Sequence, residues 1–486
     1  MTRFVDCATL LLAISLLCVS LYAAAADAGT EEGKYAVVVS RSTRDDAAWK
    51  QVVEALVVKH RADLVVFDTA VAGSLERLRE LFPRYTCFVA TPSEATRQFV
   101  AEVHRLTRRL DDDPYTDTIW GILTGYDAAN ALRIARHAEP LTIGRVAAAT
   151  EVELNVCRQG MWFCELVKNR MVRKEPGGKP KQLEGPDDTT KSLVDALNVY
   201  HAQLFVTSGH ATQHDWQIGY RYRNGQFRCE GGRLYGRDTK GVRLPIDSPN
   251  PKLYMPVGNC LMGHIDGRDA MALAFLNSAG VMQMIGYTVP TWYGYAGWGC
   301  LDYFLEQPGR FTFAEAVFAN HQALLRRLET YFPDAGDEQT DKPDRAGRQM
   351  AVSQRARRAG LSAHDGRGLL YDRDVLAFYG DPAWHARMAP GPLRWKQTLT
   401  EKDGTYCFEV TPTCGRDTFK PVSTNGSQRG GRPIVQLLPH RIKNVQILEG
   451  KELRPLVTDD FLLIPNPGGA DPKASYHLVF RAEPVQ

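Results

Sequence analysis

Two residues stand out for the chemistry that their types and surroundings allow. Cys260 closes the apolar run LYMPVGNC (253–260), and His210 follows the apolar start of LFVTSGHA (204–211). A thiol attacks an acyl carbon once an imidazole has taken its proton, and the same imidazole then protonates the leaving group. Such a reaction also needs N–H donors for the oxyanion and commonly a carboxylate behind the imidazole. The backbone amides of Ala211 and Cys260 are the candidate donors. Taken singly, a cysteine after a strand is more often an inert small residue or half of a disulfide, and a histidine there a satisfied polar group. The repeated order of apolar run, turn and reactive side chain is what singles out the pair.

The elements that must deliver these side chains are legible as alternating runs. YAVVVS (35–40), an amphipathic stretch at 46–60 and DLVVF (63–67) make a strand, helix, strand rhythm, repeated by 74–82 and CFVA (87–90). This predicts a small parallel α/β unit over 35–112. A second α/β unit over 113–390 opens with TIWGIL (118–123). It has predicted helices at 127–138, 189–201 and 313–328, a Gly/Pro/Lys-rich loop at 175–188, and the run VMQMIGY (281–287). Open α/β sheets do their chemistry at the carboxyl ends of the strands, where Cys260 and His210 would emerge. Residues 333–358 are charged and predict an exposed excursion. Beyond 390, short alternating segments split by Gly, Pro and Asn predict a β-sandwich over 391–486.

At 486 residues the chain has room for about three domains, and its formal charge of +3 gives no electrostatic footprint for nucleic acid. Residues 1–26 combine Arg3, an apolar run at 8–24 and a string of alanines, the pattern of a secretory signal peptide. That predicts a secreted, periplasmic or cell-surface protein with no transmembrane segment after cleavage. Eight cysteines would remain; Cys157 with Cys164 and Cys407 with Cys414 are candidate bridges, and no CxxC is present.

The two motifs together resemble the caspase-like clan of cysteine peptidases, and specifically the gingipains. DPYTDTIWG (113–121), FLNSAGVMQMIGYTVPTW (275–292) and AFYGDP (377–382) are similar to further blocks of that family, best between 204 and 300. The resemblance implies an α/β fold of two caspase-like subdomains with mainly parallel sheets, followed by an immunoglobulin-like β-sandwich. It implies a secreted cysteine endopeptidase acting on protein or peptide substrates, with Cys260 as nucleophile, His210 as base and Asp117 bonded to the imidazole. Trp292 falls where an aromatic residue covers the specificity pocket. No organic cofactor is required; the family's calcium binding points to a structural calcium in the acidic loop at 111–113, against the plainer reading of that loop as a solvated charge run. Two departures mark this chain: Ala211 stands where the family has Gly after the histidine, and Asn259 where it has Ala before the cysteine. Both would touch substrate or reshape the turns that do.

Rival readings attach to the same residues. A catalytically silent binding or adhesion protein on this fold would follow if Ala211 and Asn259 spoil the site. His210, His214, Asp215 and His264 could instead ligate a metal in a hydrolase, although Gly209 places His210 in a turn, where HxxxH loses its helical meaning. Asp127 is the nearest carboxylate for a pocket taking basic side chains, or equally the N-cap of the helix that follows. Nothing in the sequence calls for more than a monomer.

Overall fold

The computed structural model describes residues 34–335, 350–469, 471, 474 and 476–485. The leader-like segment 1–26 and most of the charged excursion at 333–358 lie outside the described residues. Twelve strands form one continuous sheet: β1 (Tyr35–Ser40), β2 (Asp63–Phe67), β3 (Tyr85–Val89), β4 (Ile119–Leu123), β5 (Arg145–Ala148), β6 (Gln159–Phe163), β7 (Arg170–Lys174), β8 (Lys181–Glu184), β9 (Leu204–Thr207), β10 (Lys252–Pro256), β11 (Val281–Tyr287) and β12 (Leu376–Tyr379). Their order is β2-β1-β3-β4-β12-β11-β10-β9-β5-β6-β7-β8. Helices cover both faces, so β1 and β11 are buried along their whole length. That is why their sequences are unbroken apolar runs rather than alternating ones.

The sheet holds two blocks of opposite direction. β1 to β4 are mutually parallel, and β12 joins β4 in the same sense, with Tyr379 opposite Ile122. β11 runs antiparallel to β12, and β10, β9, β5 and β6 follow β11 in parallel. The amino ends of the first block therefore share a sheet edge with the carboxyl ends of the second. The chain leaves β12 through Gly380 (φ 122°) and folds back over Gly121, where an added Cβ would lie 2.6 Å from the Gly380 carbonyl oxygen. There the buried Asp381 accepts from Tyr35 (2.8 Å) and Lys59 (2.9 Å) and contacts His60 (2.7 Å).

Local signals explain the helices. Asp46 caps the helix Ala47–His60 by accepting from the amides of Ala48 and Trp49. Trp49, Val52, Val53 and Leu56 form its buried stripe, and Arg61 ends it in the left-handed region. The helix Phe313–Tyr331 opens with a Thr312/Glu315 capping box. The loop expected at 175–188 contains the edge strand β8, exposed at all four positions. It pairs through backbone alone, so its side chains carry no apolar signal. A four-stranded antiparallel insert, Asp215–Gln217, Gln226–Glu230, Arg233–Arg237 and Arg243–Pro245, separates β9 from β10.

The terminal region is built of two antiparallel sheets. Trp395–Lys402, Thr405–Pro412, Tyr476–Pro484 and Ile442–Glu449 form one, and Ile434–Leu437, Phe461–Ile464 and Leu456–Val457 the other. Tyr406, Phe408, Leu478 and Phe480 meet Leu462 and Ile464 in a separate core, while Phe461 and Leu463 face the core of the large sheet. The FLLI run is continuous because its strand is buried on both faces.

All eight described cysteines are free. Both candidate bridges fail for one reason: Cys157 and Cys164 flank β6, and Cys407 and Cys414 span most of the strand Thr405–Pro412. Seven residues of extended chain cover about 23 Å, far beyond the roughly 7 Å a disulfide tolerates between Cα atoms.

Candidate active site

β9 and β10 are parallel neighbours in full register, with Leu204 opposite Leu253 and Thr207 opposite Pro256. Past the strand ends the ladder continues, Val257 N donating to Thr207 O at 2.9 Å. Two turns then rise from the same edge. Gly209 adopts φ 99° and leads into His210; Gly258 is packed so closely under Trp298 that an added Cβ would lie 2.8 Å from Nε1. Asn259 joins the turns: its Oδ1 accepts from Thr207 Oγ1 at 2.6 Å, and its Nδ2 donates to Gly209 O at 3.1 Å. His210 and Cys260 each leave the chain one residue beyond this contact.

Cys260 is half-buried and unbridged, and its Sγ accepts from the Thr291 amide at 3.3 Å. Leu261 follows in the left-handed region (φ 57°), unusual for a branched side chain, held by its amide on Val289 O at 3.1 Å. The His210 ring is exposed and stacks on Tyr220 at 4.7 Å. The His210 carbonyl accepts from Gln217 N, and Thr212 N donates to Asp215 O. Ala211, facing Trp216, is thus the non-hydrogen-bonded member of its ladder. Among the described hydrogen bonds neither Ala211 N nor Cys260 N has a protein acceptor, which leaves both amides available to an oxyanion.

The other expected site residues divide. Trp292 lies next to the Thr291 amide that touches the sulfur, its ring against His364 (4.9 Å) and Tyr371 (5.8 Å). Asn259 is fully buried, with both side-chain polar atoms engaged inside the protein, so it braces the turns instead of meeting substrate. Asp117 precedes β4, four strand positions from β9 in the sheet order, a lateral separation of about 19 Å. Its carboxylate accepts from the Leu110 amide at 2.8 Å, so it does not orient His210. Burial and the neighbouring Asp111 push it up to about 9. Asp127 is the N-cap of the helix Ala128–Arg136, accepting from Asn130 N at 2.8 Å. It follows the carboxyl end of β4, which faces away from the Cys260 edge.

Sequence reasoning missed a buried carboxylate that holds the residue two before His210. Glu165, just beyond β6 on the same edge, is buried and accepts from Ser208 Oγ (2.5 Å) and Thr150 Oγ1 (2.7 Å). Its backbone oxygen accepts from Tyr220 N at 2.7 Å, tying it to the ring that stacks on His210. Burial raises its carboxyl above the ordinary range. The available signal was an acidic residue directly after an apolar strand, the same pattern that picked out Cys260. The terminal region also reaches this edge: Asn425 Nδ2 donates to Thr150 Oγ1 (3.0 Å) and Ser427 Oγ to Tyr293 O (2.6 Å).

Among the described residues, potential metal-ligand clusters are Asp111/Asp113/Asp459 and Cys407/Glu409/His477; neither includes His210, His214, Asp215 or His264. The aspartate cluster offers the all-oxygen donors a calcium ion takes. It is also crowded enough that burial, with Asp111 and Asp459 nearby, pushes Asp113 up to about 7. No protein-family model, curated protein or solved structure matches this chain. No described helix is long and apolar enough to cross a membrane.

Proposed function

We propose that the chain is an exported cysteine endopeptidase of the gingipain-like, caspase-like type. The observation that carries this reading is the Asn259 tie between the β9 and β10 turns, which brings the backbone next to an unbridged Cys260 to that next to His210. Cys260 attacks a peptide carbonyl after its proton passes to His210. The amides of Ala211 and Cys260 receive the oxyanion, and His210 protonates the leaving amine. Water then attacks the acyl-enzyme with His210 as base, releasing the second product and restoring the thiol. Trp292 walls the pocket beside the sulfur. On this reading residues 35–112 and 113–390 are the two caspase-like subdomains, joined within one sheet, the terminal region is the immunoglobulin-like domain, and residues 1–26 are the export signal.

The test is labelling by a thiol-directed peptidyl affinity probe, with turnover of a broad peptide library. Wild-type protein is expected to be labelled once and to cleave; Cys260→Ala and His210→Ala are expected to do neither. Labelling that survives Cys260→Ala would sink the assignment.

A further inference from the structure

Antiparallel pairing in the four-stranded terminal sheet sets Glu409 opposite His477 and Cys407 opposite Val479. Tyr406, Phe408 and Val410 turn into the core, so Cys407 and Glu409 share the outer face with His477. On the other side of the His477 strand, Glu449 lies opposite Val479. Cys407 Sγ is 2.9 Å from His477 Nε2, and Glu409 Oε1 is 3.9 Å from the same nitrogen. Glu449 Oε2 is 3.7 Å from His477 Nδ1. The donor atoms of Cys407, Glu409 and His477 all lie within 4.8 Å of one another.

The geometry points to a zinc-type site on this face, with Cys407, His477 and Glu409 as ligands and water at the fourth corner. Bond lengths of about 2.3 Å to sulfur and about 2.0–2.2 Å to nitrogen and oxygen put tetrahedral ligands roughly 3.4–3.6 Å apart. The observed spacings reach that after modest side-chain rotation, the sulfur–nitrogen gap opening and the nitrogen–oxygen gap closing. A thiolate, an imidazole and a carboxylate form a donor set suited to zinc rather than to calcium or magnesium. Glu449 Oε2, 3.7 Å from Nδ1, stands where a small side-chain rotation would let it accept the Nδ1 proton and leave the Nε2 lone pair for the metal, the usual arrangement behind a ligating histidine. Metal binding would release the thiol proton to solvent. This site is separate from the Cys260 edge and does not depend on the peptidase reading.

Full-length protein titrated with Co2+ is expected to develop a near-ultraviolet thiolate-to-cobalt band and tetrahedral visible bands. These should persist in Cys260→Ala and vanish in Cys407→Ser and His477→Gln. Glu449→Gln is expected to weaken Zn2+ by about 10- to 100-fold in chelator competition. A wild-type protein that gives no band, or a band that survives Cys407→Ser, overturns the site. Should Cys407→Ser fail to fold, zinc-edge anomalous scattering from wild-type crystals decides: a peak bonded to the three ligands supports the site, and its absence refutes it.

Discussion

Asn259 Nδ2 donates to Gly209 O at 3.1 Å, and so clamps the turn before Cys260 to the turn before His210. Its oxygen meanwhile holds Thr207, the last residue of β9. An alanine at 259 could pack in the same turn, but it would leave a buried carbonyl without its partner.

Asn259→Ala is therefore expected to cost about 1–3 kcal/mol in denaturant unfolding, the range for an orphaned buried group. On the peptidase reading it also lowers kcat by up to about 100-fold through misplacement of the reacting groups. Unchanged stability together with unchanged kcat would show that the clamp is idle.

Asp117→Asn separates a structural aspartate from a catalytic one. Asparagine keeps an oxygen for the Leu110 amide, and a carboxyl pushed up to about 9 is already largely protonated near neutrality. Activity should match wild type. The folded carboxyl titrates far above an ordinary aspartate, so the native state holds the extra proton and stability falls as pH rises from the usual carboxylate range towards about 9. In calcium-free buffer the asparagine variant should lose less stability than wild type on going alkaline; a steeper loss contradicts this.

The free cysteines should differ sharply in alkylation. Burial pushes Cys157 and Cys300 up to about 12 and holds Cys87 higher still, whereas Cys260 is half-buried and Cys414 exposed. Mass spectrometry of briefly alkylated native protein should find label on Cys260 and Cys414, with Cys87, Cys157 and Cys300 labelled only after unfolding. Early label on Cys87 would contradict the packing of β3.

The rings of His104 and of His321, on the helix Phe313–Tyr331, lie 4.9 Å apart at a tilt of 43°, and His104 contacts the Leu376 carbonyl at 2.9 Å. Burial pushes His104 down to about 4 and His321 further. Unfolding lets both protonate, so their contribution is complete above about pH 6.5 and is lost as pH falls towards 4. For His104 alone the loss amounts to about 3 kcal/mol. His104→Gln should flatten the acid limb of stability measured by urea titration across that range; an unaltered slope would show that other groups govern it.

The strands bearing Cys260 and His210 were legible because both are buried runs ending in polar turns. The first α/β unit was legible for the same reason, through its capped amphipathic helix. Pairing was not: nothing local in LAFY at β12 states that it lies between β4 and β11 or that it reverses direction there. The role of Asn259 was hidden as well, since a bulky polar residue beside a nucleophile looks like a disturbance until its two partners are known. Asp117 misled because a motif fixes sequence position only, and the sheet order carried that position four strands away.

The placement of β12 bears on how the molecule is made. As the polypeptide emerges from the ribosome, β4 and β11 each present an open edge until residues 376–379 arrive to zip them together, with Asp381 then latching onto Tyr35, Lys59 and His60. A nascent or truncated chain stopping short of that point keeps two unpaired hydrophobic strands exposed, the kind of surface that recruits other chains. The final seam of the sheet thus works as a completion check, one that a premature stop anywhere upstream would leave unmet.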